Sequence, residues 1–157
     1  MNTPCEENNF LGHHAQLLIS SYYHLLGAQL ISVDGPRKNP FRALYEAPFA
    51  VVSHGTESDP VFNYANRSAL RLFEMSWEDF TRLPSRKSVE PVNRAERQSL
   101  LDRVSRHGFI DNYRGVRISS SGKRFRIENA IVWNLVDDRG IHRGQAAGFH
   151  RWFAMDA

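Results

Sequence analysis

Ser53-His54-Gly55-Thr56-Glu57 brings a hydroxyl, an imidazole and a carboxylate into one short stretch, the side-chain types that nucleophilic catalysis combines. The stretch lacks the strand–turn–helix setting of a nucleophile elbow, so it reads as a strand end and its loop. Metal chemistry is served no better. His13 and His14 are adjacent and cannot share a helix face, and neither Glu7 nor His24 stands at clear ligating spacing from His14. Cys5 is the only cysteine, which removes an intrachain disulfide, a thiolate zinc cluster and a redox pair. A haem iron needs an axial ligand, yet His54, His107 and His150 all lie outside ligand motifs, and His107 reads as a charge at a helix C-terminus. Enzymatic activity is not expected.

Binding chemistry is better represented. Residues 82–126 carry 12 Lys and Arg against 4 Asp and Glu, whereas residues 1–81 carry 5 against 9, an asymmetry hidden in the net charge of +3. Such a block fits nucleic acid or another anionic ligand, with Arg117, Lys123, Arg124 and Arg126 on one hairpin. Solvated arginines on exposed faces give the same count, and that plainer reading is preferred. A second candidate is a pocket. Phe125, Ile127, Asn129, Ile131 and Trp133 occupy alternate positions of one strand, so Asn129 is a polar group in an apolar row and needs a partner: a ligand, a backbone group or a buried water. With Phe62, Tyr64, Phe73 and Val116, the residues Phe125, Ile127, Asn129 and Trp133 form a candidate lining of aromatic walls and one polar anchor. The small residues Gly144, Ala146, Ala147 and Gly148 either leave room for a ligand or admit close packing.

The elements that must position these residues are legible. A chain of 157 residues and 18.0 kDa, 41% hydrophobic and 24% charged, suits one folded domain with a sizeable core and argues against a disordered or fibrous chain. Residues 1–9 read as a flexible tail. From Phe10 to Val33 the apolar spacing predicts a helix of about 23 residues, roughly 35 Å long at 1.5 Å per residue, stopped by Asp34-Gly35-Pro36. Its stripe is wider than one interface requires, and Leu11, Leu18, Tyr22 and Leu25 are candidates for contact with a second copy, making a homodimer. His13, His14, Ser20, Ser21, His24 and Gln29 interrupt the apolar run, so neither a membrane span nor a signal peptide is expected, and a cytoplasmic location follows.

Phe41 to Tyr45 reads as a short apolar turn. Pro48–His54 is an apolar run too short for a helix, a strand covered on both faces, and Val61–Ala65 is a second strand. Asn66 caps a short helix, Ser76 with Asp79 starts another, and Asn93 with Glu96 offers a capping box for a longer helix through His107 with Leu100, Leu101 and Val104 buried and Gly108 at its stop. Beyond it the period becomes two. A hairpin turning at Ser119–Gly122 and a last strand from Arg143 to Phe153 complete a three-stranded meander. The expected fold is α+β, a five-stranded antiparallel sheet with helices inserted between strands 2 and 3 and a long N-terminal helix on the other face.

Phe62-Asn63-Tyr64-Ala65-Asn66-Arg67-Ser68-Ala69-Leu70, followed by Leu72-Phe73 and Ser76-Trp77-Glu78-Asp79-Phe80, resembles the PAS pattern of strand, Asn-capped helix and second capped helix. Together with Pro48–Gly55, Arg82-Leu83-Pro84-Ser85, Glu90–Arg94, Gly108-Phe109-Ile110 and Gly115–Phe125, it is similar to the MEKHLA domain, a PAS-like family found in small stand-alone bacterial and algal proteins and at the C-terminus of plant homeodomain–leucine zipper transcription factors. The resemblance covers residues 10–152 and implies a single PAS-like domain over 10–157, with its core at 48–153. It implies sensing or protein interaction and names neither ligand nor catalytic residue. PAS-like domains commonly hold a small molecule or cofactor between sheet and helices. An adduct-forming flavin would need a cysteine in the helix cluster, where this chain has none; non-covalent flavin is left open and haem is not expected, so the cofactor is unknown. The expected role is a non-catalytic sensory or interaction domain in which a small apolar or aromatic ligand favours one arrangement of sheet and N-terminal helix, read by an unknown protein partner. The alternative is nucleic-acid or anionic-ligand binding through residues 82–126, with nucleic acid the less expected partner.

Overall fold

The structure, a computed structural model, describes residues 2–33, 35 and 38–155. Asn8 organises the start of the chain: its side-chain oxygen accepts from the Cys5 amide at 2.9 Å and the Leu11 amide at 3.2 Å around a 3-10 turn, Glu6–Asn8. Phe10 is buried beside Tyr45, with Arg42 over its ring. The stretch expected to be a flexible tail thus includes an anchored turn. Helix α1 spans Gly12–Leu26. It ends short of Val33 because Gly27 takes a φ of 68° and donates its N–H to Tyr23 at 2.9 Å, and a left-handed glycine stops the helical ladder whatever the apolar spacing beyond it. Leu30 and Ile31 still pack on the same core as irregular chain. Of the expected terminator, Asp34 and Pro36 lie outside the described residues. The apolar turn at Phe41–Tyr45 is a helix, α2 (Pro40–Glu46), capped by Asn39 with Pro40 in its first turn.

Strands β1 (Ala50–His54) and β2 (Phe62–Ala65) are followed by α3 (Arg67–Phe73), α4 (Trp77–Phe80) and α5 (Arg94–His107), then β3 (Phe109–Ile118), β4 (Arg124–Val136), β5 (His142–Phe149) and β6 (Arg151–Ala154). The antiparallel sheet runs β2-β1-β5-β4-β3, with β6 also on β4. Six strands replace the expected five because the last one breaks at His150, whose ring stacks on Phe49 with centroids 4.3 Å apart. The expected capping box of α5 does not form. A 3-10 turn, Pro91–Asn93, leads into the helix, so Asn93 already has helical dihedrals and its side chain caps nothing, while Glu96 accepts a hydrogen bond from Tyr113.

Both sheet faces are covered. Ala50, Val52, Ile127, Val132 and Phe149 meet Phe73, Phe80, Leu100 and Val104 from α3, α4 and α5; Val51, Trp133, Leu135 and Ala146 meet Ala15 and Leu18 of α1 and Leu44 of α2. Asn66 ties the two layers together. Fully buried, it accepts from the Val51 (3.0 Å) and Ala69 (3.2 Å) amides and donates to Leu44 (3.1 Å) and Phe49 (2.7 Å) carbonyls, so one side chain caps α3 and fixes α2 and β1.

The side-chain alternation of β4 slips by one at Asn129, which has a φ of 52°. Phe125 and Ile127 before it, and Ala130 and Val132 after it, share the core under α5, while Trp133 and Leu135 face α1. The slip continues across the sheet, at Asn112 of β3 (φ 57°) and at the His150 break. Asn66→Ala should lower stability by about 3 kcal/mol, since it removes a cap and strands buried amide and carbonyl groups, read as a fall in the urea midpoint. Asn129→Val should cost about 1–2 kcal/mol and Asn129→Gly less than about 0.5, because a β-branched residue resists the left-handed region that glycine enters freely.

Candidate functional site

Beneath α5 the sheet borders a partly open cavity of about 60 Å³. Its apolar wall is made by Val52, Phe62, Phe73, Leu100, Ile127, Val132 and Phe149, and its polar wall by His54, Arg97, Tyr113, Arg117 and Gln145. Three of the expected lining residues, Phe62, Phe73 and Ile127, stand here. Phe125 lies in the same core behind Phe73, ring edge to face at 5.2 Å, without lining the cavity. The remaining four are elsewhere: Asn129 and Trp133 because of the alternation slip, Val116 because its register turns it from the cavity face, and Tyr64 because the β1–β2 register shifts between Ser53 and His54. Asn129 is exposed at the alternation slip, so it is no polar anchor. Trp133 faces α1, edge-on to Tyr22 at 5.0 Å. Val116 pairs with Arg126, while its neighbours Gly115 and Arg117 pair with Ile127 and Phe125 and so point to the cavity face. Tyr64 is buried in the α1 core between His14 and Trp77.

The anchor that sequence reasoning missed is Arg97. It is 7% exposed, stands on the buried stripe of α5 with Leu100 and Val104, and donates from Nη2 to Ser85 Oγ. Spacing of three and seven residues from those two apolar positions was the available signal. No carboxylate pairs with it among the described residues: the nearby Asp59 holds Arg86 at 3.0 Å, and Glu96 is bonded to the Tyr113 hydroxyl at 3.2 Å. Burial, followed by the neighbouring Arg117, pushes its pKa down to about 10, which leaves it charged at neutral pH. Arg117 donates to the Val116 carbonyl (2.9 Å) and the Tyr113 hydroxyl (3.3 Å) and lies against the Tyr113 ring.

At the other side of the cavity His54 donates from Nδ1 to the Gly55 carbonyl at 3.0 Å, which fixes the tautomer and leaves buried Nε2 without a partner. Burial lowers its pKa, so the ring is neutral. Gln145 Nε2 donates to Asn134 Oδ1, Leu101 O and Ser105 Oγ, and Asn134 donates to Val104 O, so two sheet amides hold the C-terminal half of α5. The small residues of β5 make room for packing: a Cβ on Gly144 would collide with the His54 carbonyl oxygen, and Gly148 lies under the Trp133 ring.

The Ser53–Glu57 stretch does not assemble as a triad, since His54 Nδ1 bonds the Gly55 carbonyl and Glu57 accepts from the Val61 amide. Ser53 does meet a histidine, His14 Nε2 at 2.9 Å, but its hydroxyl donates to Asn63 Oδ1, so His14 is the donor to Ser53 and no base withdraws the serine proton. About half of the basic block is engaged locally: Lys123 pairs with Glu74, Arg124 with Glu90, Arg126 with Glu128, Arg94 donates to backbone carbonyls, and Arg97 and Arg117 line the cavity. Leu11, Leu18, Tyr22 and Leu25, expected at a contact between copies, pack on the chain's own sheet, with Leu18 fully buried.

The MEKHLA domain profile matches residues 12–154. The chain belongs to the MEKHLA domain family. Relatives include homeobox-leucine zipper protein HOX29 of Oryza sativa subsp. indica, 29% identical over 78% of this chain, and homeobox-leucine zipper protein REVOLUTA of Arabidopsis thaliana, 24% identical over 77%. The match spans 15% of each relative's own length. Among solved structures, the PAS domain of a Colwellia psychrerythraea protein covers 73% of this chain and 92% of its own with a TM-score of 0.60 at 14% identity. The light-state dimer of the fungal blue-light photoreceptor Vivid covers 83% and 91% with a TM-score of 0.56 at 14% identity. This MEKHLA chain therefore has the PAS fold. A tricyclic flavin ring is far larger than its cavity, and Cys5 is not part of the lining. No helix among the described residues is long and apolar enough to cross a membrane.

Burial holds the pKa of His14 down to about 4 from an ordinary 6.5, with a smaller contribution from His13. Between those values the unfolded chain binds the extra proton, so the stabilisation is complete above about pH 6.5 and disappears as the pH falls toward 4, a loss on the order of 3 kcal/mol. His54 acts in the same direction. Urea midpoints between pH 7 and 4.5 should fall for the native chain and fall less steeply for His14→Gln.

Proposed function

We propose that this MEKHLA domain is a non-catalytic sensor whose cavity takes a small molecule and whose outer surface reports occupancy to a second protein. The observation that carries the reading is the partly open cavity between the sheet and α5. At about 60 Å³ it is far below the several hundred Å³ of drug-sized sites and has room for on the order of five waters, which limits the ligand to a handful of heavy atoms. Helix α5 is a suitable responder. Only Arg97, Leu100 and Val104 are buried along it, and polar bonds from Asn134 and Gln145 hold its far half, so occupancy alters a lightly docked element. The N-terminal helix lies on the other face, but β4 joins the two: Val132 lines the cavity and the adjacent Trp133 touches Tyr22 of α1. A ligand shifts the population of arrangements of α5 and α1 about one sheet.

In this reading the domain acts in the cytoplasm, as a homodimer that signals through a partner protein. Dimer contacts use the outward side of α1, where Tyr23 is 57% exposed, since Leu11, Leu18, Tyr22 and Leu25 face inward. Binding of 1-butanol to the labelled protein, followed by amide and indole NMR, tests the cavity. Shifts centred on Leu100, Val132 and Ala147 that extend to the Trp133 indole support the reading; shifts confined to exposed residues, or none, refute it. Native mass of the purified chain reads the dimer, and a strictly monomeric protein removes that part.

A further inference from the structure

Arg97 presents an energetic anomaly that the small-molecule reading alone does not resolve. A guanidinium buried without an acidic partner is among the more destabilising features a core can contain, and an apolar side chain of similar length would pack there without the desolvation cost. The cavity also holds a second cation, Arg117, bonded to the Val116 carbonyl and the Tyr113 hydroxyl, and the unpartnered His54 Nε2. All three line the same space as Leu100, Val132 and Phe149. The carboxylates around it are committed elsewhere: Asp59 to Arg86, Glu96 to Tyr113, and Glu57 to the Val61 amide. Among the described residues no carboxylate forms an ion pair with Arg97 or Arg117, and Asp59 acts on Arg97 only at a distance.

We infer that the cavity is shaped for a small monocarboxylate with an apolar tail, its carboxylate pairing with Arg97 and its tail lying against Leu100, Val132 and Phe149. The planar fork of a guanidinium matches the two oxygens of a carboxylate. Tail and charge must both be short, because the volume admits only a handful of heavy atoms. Inorganic phosphate is the disfavoured anion, since it brings no apolar surface and a larger hydration shell to a mostly apolar wall. The assignment rests on the cavity being a ligand site and specifies the chemistry of that ligand.

Calorimetric titration of the full chain with sodium butyrate, the isosteric neutral butyramide and inorganic phosphate tests it, alongside Arg97→Met and Arg97→Gln. Butyrate should bind at least about tenfold more tightly than butyramide or phosphate, the ratio expected of one charge-assisted pair, and both variants should abolish that preference. Arg97→Met should also raise the urea midpoint of the unliganded chain, because it removes an uncompensated buried charge. In the unsubstituted protein the Arg97 Nε–H resonance should move with butyrate and not with butyramide, a readout that requires no variant to fold. Equal affinity for butyrate and butyramide would overturn the carboxylate assignment and leave the cavity reading intact. Phosphate binding as tightly as butyrate would overturn the role of the tail. Failure of all three probes, with no movement of the Arg97 resonance, would overturn the assignment, and failure of 1-butanol as well would overturn the cavity reading with it.

Discussion

The slip in strand alternation at Asn112, Asn129 and His150 is the constraint on which the arrangement of this domain depends. An antiparallel sheet with uninterrupted alternation would carry Phe125, Ile127, Ile131 and Trp133 on one face. The left-handed residue in β4 divides that row. Its first half continues into Ala130 and Val132 under α5, and Ile131, Trp133 and Leu135 turn to α1 and α2. Removing the large indole from the α5 side is what leaves space there, and placing it against Tyr22 gives α1 an aromatic surface to dock on. Cavity and N-terminal helix are thus two results of one backbone irregularity.

A sheet buried on both faces also explains why many polar groups of the interior are matched, although the buried His54 Nε2, Tyr64 hydroxyl and Trp133 Nε1 have no hydrogen-bond partner among the described residues. Asn66 satisfies every donor and acceptor it has, Ser21 both accepts from and donates to the Val136 backbone, and Gln145 with Asn134 serves the carbonyls of α5. Against that background Arg97 stands apart. Among the described residues its hydrogen-bond partner is a serine hydroxyl, and no carboxylate forms an ion pair with it. Interiors tolerate such groups at functional positions, where the uncompensated interaction is available to a ligand. The location under a helix that buries only Leu100 and Val104 as apolar side chains is consistent with an element that moves at modest cost.

Much of the fold was legible before any coordinates. The covered strand Pro48–His54, the cap at Asn66, the stop at Gly108 and the change to a period of two after it each follow from a local rule, and each rule has a few residues of context. Where the reading failed, one local signal outweighed another: Gly27 ended α1 although apolar spacing continued, and a 3-10 turn before α5 removed the capping box from Asn93. The candidate site fared less well. Phe62, Phe73 and Ile127 line the cavity, but Asn129 and Trp133 were assigned on the assumption of unbroken alternation, Tyr64 and Val116 face away from the cavity by strand register, and Arg97 was counted with the solvated charges.

Sequence alone determined the order of the main elements, the burial of both sheet faces and the absence of an intrachain disulfide, because composition, periodicity and caps act over a few neighbouring residues. Tertiary structure decided which residues meet. Whether Asn129 continues a strand or reverses its parity, and whether an arginine on a helix stripe reaches water or a cavity, depends on strands β3 and β6 and on the loop before α5, which lie far away along the chain. Those contacts are non-local, and no short window of residues contains both partners.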